Sequence, residues 1–312
     1  MRSFLSHPIA TLLWALLSGL AGLATAVAAP LPVEQVAPGI YVHAGVPEDA
    51  SATNDDAIAN IGFIVGEAAV MVIDPGGSAL EGRGLREAIG AATDKPVRYV
   101  VLTHVHPDHI FGASAFKPDD PVFIGHARLP GALAERGAYY RRGLERSLGD
   151  KASGSEIVDP TLLVSDVMAI DLGDRVVEIR AHAPAHTDND LTLFDRRTRT
   201  LWASDLLFVE RIPVIDGSLL GWLKELDGLR ALPALRAIPG HGPAVVDWPA
   251  GAEAETRYLK AVLADTRAAI REGIDIGDAW RHVALEERDR WLLFDDYHAR
   301  NVITAYKELE WE

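Results

Sequence analysis

The chain has 312 residues, 48% hydrophobic and 24% charged, which is ordinary for a folded soluble protein and enough to bury a large core without disulfide staples. Its net charge of −15 argues against nucleic acid or an anionic membrane surface as main partner, since both need clustered Lys and Arg. There is no cysteine, so thiol chemistry, disulfides and thiolate-held metals are excluded, and any metal must be held by His, Asp or Glu.

Arg2 precedes an apolar run over residues 9–27, and Ala26-Val27-Ala28 is a small-x-small cleavage signal. This pattern reads as a secretory signal peptide over 1–28, with a mature chain that starts near Ala29 and works in the periplasm. The run is nearly long enough to span a bilayer, so an uncleaved anchor is the alternative; after cleavage no stable membrane insertion is expected.

The remainder, 29–312, reads as one domain. Strand signals fall at 40–43, and at 61–65 and 70–73 around the turn Gly66-Glu67, a hairpin pattern. Asp74-Pro75-Gly76-Gly77 breaks the chain, and Ser78 is placed to cap a helix over 79–92. Residues 97–102, apolar apart from Arg98, read as a strand of buried type. A helix over 109–116, a strand at 122–124 and a long Arg-rich helical insertion over 127–149 follow. Strands are expected at 161–164, 176–180, 191–194, 200–203 and 236–238, with a helix over 218–232. From about 250 to 312 the pattern is helical, at 251–272, 276–282, 285–293 and 298–309. Hairpins mixed with βα units predict an α/β fold, two sheets with helices packed outside in an αββα sandwich.

The chemistry concentrates in Thr103-His104-Val105-His106-Pro107-Asp108-His109, directly after the buried run at 97–102. In an extended segment residues i and i+2 point the same way, so His104 and His106 face one point. Pro107 keeps His106 extended and favours a helix start, which aims Asp108 and His109 back at the same region. One short segment thereby offers two ligands to each of two adjacent metals. A polar loop holding His by chance accounts for one such residue, and poorly for the cluster.

His-x-His-x-Asp-His after a buried strand resembles the signature of the metallo-β-lactamase superfamily. The resemblance implies further ligands, each after a strand, and the chain supplies them in order. His186-Thr187 precedes Asp190-Leu191, with His182 a weaker competitor; Asp205 follows Leu201-Trp202-Ala203-Ser204; His241 lies in Gly240-His241-Gly242. The resemblance covers about residues 33–245. It implies that His104, His106 and His186 hold one metal, that Asp108, His109 and His241 hold a second, and that Asp205 bridges them. Two Zn2+ per chain are expected, with Fe or Mn as alternatives. A hydroxide between the metals would attack an ester, thioester, lactone or amide bond of a small molecule, with Asp108 orienting it and carrying its proton.

The lack of Cys and the presence of Asp205 make the pattern similar to glyoxalase II and related esterases more than to the β-lactamases. The stretch from Asp205 to Pro213 and the end from Leu293 to Glu312, together with the export signal, resemble the quinoprotein relay system zinc metallohydrolases. That implies service to a periplasmic quinoprotein dehydrogenase system. The alternatives are a β-lactamase, a non-catalytic metal-binding accessory protein of such a system, or a redox di-iron enzyme. Asp74 reads either as a turn residue or as one that orients a ligand His. Arg211 reads either as an anion binder or as a surface ion pair. The insertion, with Arg136, Tyr139, Tyr140, Arg141 and Arg142, reads as a solvated helix or as a basic lid. His43, His126, His282 and His298 read as structural.

Overall fold

The computed structural model describes residues 29–312; the expected signal peptide lies outside the described residues. Thirteen strands form two sheets. The first takes β1 (Glu34–Ala37), β2 (Ile40–His43), β3 (Ile61–Val65), β4 (Val70–Ile73), β5 (Val97–Leu102), β6 (Val122–His126) and β7 (Leu162–Val164), side by side in chain order. It is antiparallel from β1 to β4 and parallel from β4 to β7. The second has the order β13 (Val246–Asp247), β12 (Arg236–His241), β11 (Thr200–Phe208), β10 (Leu191–Asp195), β9 (Val176–Ala181) and β8 (Val167–Asp171).

Helices cover both outer faces. On the first sheet lie α1 (Ala79–Ala92), the single turn α2 (Pro107–Ile110) and α3 (Leu129–Leu148). On the second lie α4 (Leu219–Arg230), α5 (Glu253–Arg271) and α6 (Phe294–Leu309). The result is an αββα sandwich, as the mixed hairpin and βα pattern predicts.

The two-residue side-chain period of a strand divides the core into three layers. Val70 and Val72 of β4 pack outward with Leu85 and Ile89 of α1, while Met71 and Ile73 point inward between the sheets. On the second sheet Leu201 and Ala203 pack with Trp222 and Tyr258, and Trp202 enters the central layer. Strands buried on both faces read as apolar runs, and in β5 that holds for Val100, Val101 and Leu102, while Arg98 is exposed at the start of the strand.

Several elements depart from expectation. β1 and β8 were not expected: β1 is short and half exposed, and β8 is apolar in sequence up to its final Asp171 but no residue of it is fully buried. The helix expected over 109–116 is instead α2 followed by 3-10 turns over Phe111–Asp119. The helices expected at 276–282 and 285–293 shrink to 3-10 turns at Ala279–Arg281 and Leu285–Arg290. β11 does not stop at 203 but runs through Asp205 to Phe208, because buried apolar residues continue there. Among the described residues no helix is long and apolar enough to cross a membrane.

Arg175 fastens the sheets together. Its Nε and Nη2 donate to the Asp195 carboxylate at 3.1 and 2.9 Å, and its Nη1 donates to the Val65 carbonyl at 2.8 Å. Both side chains are buried, at 2% and 1% exposure, so neither charge has water to fall back on. Arg175→Ala is expected to lower the unfolding free energy by about 3–5 kcal/mol in chemical denaturation, by stranding the Asp195 charge. A loss below about 1 kcal/mol would contradict this account.

Candidate metal centre

The end of β5 is held by the chain break that follows β4. Asp74 Oδ1 accepts from the Thr103 N–H at 2.9 Å, and Asp74 Oδ2 from the Thr103 hydroxyl at 2.8 Å. His104 leaves the strand from this anchor. His106 keeps extended backbone at φ −67°, ψ 146°, and α2 begins at Pro107, which turns Asp108 and His109 back as the sequence implied. The same Asp74 Oδ2 accepts from His109 Nδ1 at 2.9 Å and from the Ser204 hydroxyl at 2.9 Å. Asp74 therefore orients a cluster histidine.

All seven residues singled out meet at one end of the sandwich. The ligand atoms of His104, His106, His186 and Asp205 lie within 4.8 Å of one another, as do those of Asp108, His109 and His241. Asp205 lies between the groups. Its Oδ2 is 3.5 Å from His104 Nε2, 3.3 Å from His186 Nε2 and 3.5 Å from His241 Nε2, and its Oδ1 is 3.2 Å from His109 Nε2. Gly240 makes the approach possible, because a Cβ there would overlap the Asp205 carboxylate.

Four of the five imidazoles are fixed from behind by a clear acceptor. His106 Nε2 faces Asp216 Oδ2 at 3.2 Å, His109 Nδ1 faces Asp74, His186 Nδ1 faces the Val214 carbonyl at 2.6 Å, and His241 Nδ1 faces the Ile58 carbonyl at 2.8 Å. His104 Nδ1 lies 3.1 Å from the Thr103 hydroxyl. A neutral imidazole that donates behind presents a lone pair in front.

Those front atoms crowd together. His106 Nδ1 is 3.1 Å from His104 Nε2 and 2.9 Å from His186 Nε2. His109 Nε2 and Asp205 Oδ1 are both buried without a hydrogen-bond partner, although only 3.2 Å separates them. Lone pairs converging on a shared point with orphaned buried atoms are what a bound cation relieves, so the donor set fits metal ions. Burial holds the His104 imidazole well below its usual value and takes His186 down to about 3, the neutral ligand form at neutral pH. Burial also pulls His109 down, but the carboxylates of Asp205, Asp108 and Asp74 outweigh it and hold that ring well above its usual value. Asp205 is pushed up by burial, yet His109, His241 and His104 hold it well below the carboxylate range.

A cavity of about 740 Å³ opens over the cluster, a size that suits a small molecule. Phe208 floors it, its ring stacked on His241 at 5.0 Å and 5.5 Å from His186. From the insertion, α3 brings Arg136, Tyr139 and Tyr140 to the wall, while Arg141 turns to solvent and pairs with Glu145. Arg211 is not a surface pair. It is buried at 4% exposure, donating to the Glu48 carbonyl and to Tyr297, and pairing with Asp49.

Among the described residues the other histidines stay out of the cluster. His182 is held by Glu225 and Thr192, His126 accepts from the Arg128 N–H, and His298 lies between Tyr258 and the Val283 carbonyl. Asp56, Asp216, Tyr297 and Arg300 also line the cavity; none was singled out as a site residue, Asp56 and Asp216 because each is a lone loop residue, Tyr297 and Arg300 because the end of the chain was noted only as a stretch. Burial and the nearby Asp108 push the Asp56 carboxyl up to about 8.

The family described as Metallo-beta-lactamase superfamily matches residues 54–241, which contain all seven cluster residues. The chain belongs to the metallo-beta-lactamase superfamily. It is 25% identical to the linear primary-alkylsulfatase of a Pseudomonas species over 56% of this chain and 40% of that one. It is 31% identical to the human acyl-coenzyme A thioesterase MBLAC2 over 53% of this chain and 61% of that one. The chain thus spans about half the length of these curated relatives, both of which are hydrolases of small molecules by name. The solved structure of the inverting sec-alkylsulfatase Pisa1 from Pseudomonas sp. matches 89% of this chain and 50% of that one, with TM-score 0.69 at 17% identity, and so shares the fold.

In a metallo-beta-lactamase fold built this way, Asp74 sets the geometry of a cluster it does not enter. Asp74→Ala is expected to weaken metal binding about 10- to 100-fold in a chelator competition, with the fold checked by circular dichroism. Unchanged affinity in a folded variant would refute that role.

Proposed function

We propose that the protein is an exported dinuclear zinc hydrolase that cleaves an ester, thioester, lactone or amide bond of a small molecule. The observation that carries this reading is the division of the cluster into two donor groups with Asp205 between them, beneath an open cavity. Such groups suit His104, His106 and His186 to one cation and Asp108, His109 and His241 to a second. Cations held there supply Lewis-acid polarisation of the scissile bond and bring the pKa of water towards neutrality.

The chain's own residues do the rest. Asp108 lines the cavity, with Oδ2 3.4 Å from His241 Nε2, and it orients the attacking water and carries its proton to the leaving group. Asp74, Asp216 and the carbonyls of Val214 and Ile58 keep the imidazoles from turning. Phe208 excludes water from the cavity floor.

The thioesterase relative supports an acyl substrate, and the alkylsulfatase relative makes a sulfate ester the second reading. Export rests on the leader pattern of residues 1–28, and service to a quinoprotein dehydrogenase system rests on the resemblance of 205–213 and 293–312 to the quinoprotein relay hydrolases.

Metal counting by plasma mass spectrometry is expected to give close to two metals per chain, falling in His106→Ala and Asp205→Ala. Asp108→Ala is expected to cost about 10²- to 10⁴-fold in kcat on aryl esters. One metal or none in the wild type, or full activity in Asp108→Ala, would overturn the mechanism. Turnover of a β-lactam panel in preference to esters and thioesters would replace it with the β-lactamase reading. A metal-loaded protein that turns over none of them would leave the accessory role.

A further inference from the structure

Beyond the cluster, the cavity wall is organised around Asp216. This residue sits in the loop between β11 and α4, where its N–H donates to the His186 carbonyl at 3.0 Å. Its carboxylate receives three side chains from three parts of the chain. Oδ2 faces His106 Nε2 at 3.2 Å and also accepts from Arg136 Nη1 of α3, and Oδ1 accepts from Arg300 Nη2 of α6 at 2.9 Å.

One carboxylate thus holds two guanidinium groups, so this trio carries one net positive charge. Each guanidinium carries five N–H donors in a rigid plane. Arg136 and Arg300 each spend a single Nη on Asp216, and the Arg136 guanidinium also reaches the Tyr140 side chain, which still leaves donors of both free to face the cavity. The remaining donors are half-exposed at the cavity, with 34% and 53% of the two side chains accessible. Tyr140 lies beside them on the cavity wall, its ring 6.3 Å from that of His106. The third guanidinium that lines the cavity is different in kind: Arg211 is buried and already paired with Asp49 and Tyr297. Glu135, the acid nearest in sequence on α3, is exposed at the rim.

We propose that Arg136 and Arg300, pinned on Asp216, are the receptor for an oxyanion on the substrate, a carboxylate or sulfate group joined by a short chain to the bond that is cleaved over the cluster. The preferred substrate is then a half-ester or half-thioester of a diacid, or its sulfated counterpart. This rests on the hydrolase reading for the cleaved bond, but not for the anion site. A planar fork suits a planar or tetrahedral oxyanion in two parallel hydrogen bonds. Arg300 lies on α6, beyond the 54–241 stretch that matches the family, so this half of the receptor comes from outside that stretch. The short spacer follows from the wall itself, since only the Asp216 carboxylate separates Arg300 from His106.

The test compares mono-4-nitrophenyl glutarate with the neutral 4-nitrophenyl butyrate on the wild type, Arg300→Gln and Arg136→Gln. The wild type is expected to favour the glutarate, and either substitution to cut the ratio of the two kcat/KM values about 10- to 100-fold, the worth of a hydrogen bond to a charged group. A second readout needs no turnover. Glutarate and sulfate are added to chelator-treated protein, and the rise in Tm is expected in the wild type and lost in Arg300→Gln. If neither ester is cleaved but the Tm rise depends on Arg300, the hydrolase reading falls and the receptor stands. A ratio that moves less than about twofold in both variants, or a Tm rise that survives both, overturns the receptor. Because Arg136 and Arg300 lie on different helices, misfolding of one variant leaves the other to decide.

Discussion

The carboxylate of Asp74 is completely buried and accepts four hydrogen bonds, from the Thr103 N–H and hydroxyl, the Ser204 hydroxyl and His109 Nδ1. Thr103 and His109 belong to the end of the first sheet, and Ser204 belongs to β11 of the second. One ionisable group therefore joins the sheets and sets the segment that carries most of the cluster. A buried carboxylate is costly unless each lone pair is used, so this corner of the fold has few alternative arrangements.

The backbone around Asp74 shows the same constraint. Asp74 and Ser204 both sit in the left-handed region, at φ 50° and φ 47°, where neither is a glycine. At Ser204 the pairing of β11 with β12 slips, between Trp202 and Ser204 and again before Phe208. The slip lets a strand that is buried along its whole length aim a charged side chain at the cluster. Such conformations cost about 1–3 kcal/mol each and persist only where the surroundings enforce them. Here the enforcing contacts are the Asp74 bonds on one side and the close backbone of Gly240 on the other.

The third wall of the site is built from the far end of the chain. Asn301 of α6 donates to the Pro213 carbonyl at 2.6 Å and accepts from the Ile215 N–H at 2.9 Å. Glu308 accepts from the Leu219 N–H at 2.7 Å and from the Ser218 hydroxyl, closing the start of α4. These bonds hold the loop whose Val214 carbonyl orients His186 and whose Asp216 faces His106. The C-terminal helix thus supports the His and Asp cluster at a distance and presents Tyr297 and Arg300 to the cavity.

The sequence by itself determined the layered fold and the inventory of the centre. Strands buried on both faces must be apolar runs, and His104 through His109 must follow such a run for their side chains to converge. His186, Asp205 and His241 were legible because each comes at or near a strand in the expected order. The sequence did not show β1, which is half polar and exposed at its start, or β8, a half-buried edge strand, nor the passage of β11 through Asp205, which depends on a register slip with its neighbour. It left Asp74 between two roles, since only the meeting of the two sheets brings Ser204 and His109 to one carboxylate. Asp216 and Arg300 carry no motif, and 84 residues separate them. Their partnership with His106 exists because α3 and α6 close over the same cavity, and contacts between distant elements leave no periodic trace in a sequence.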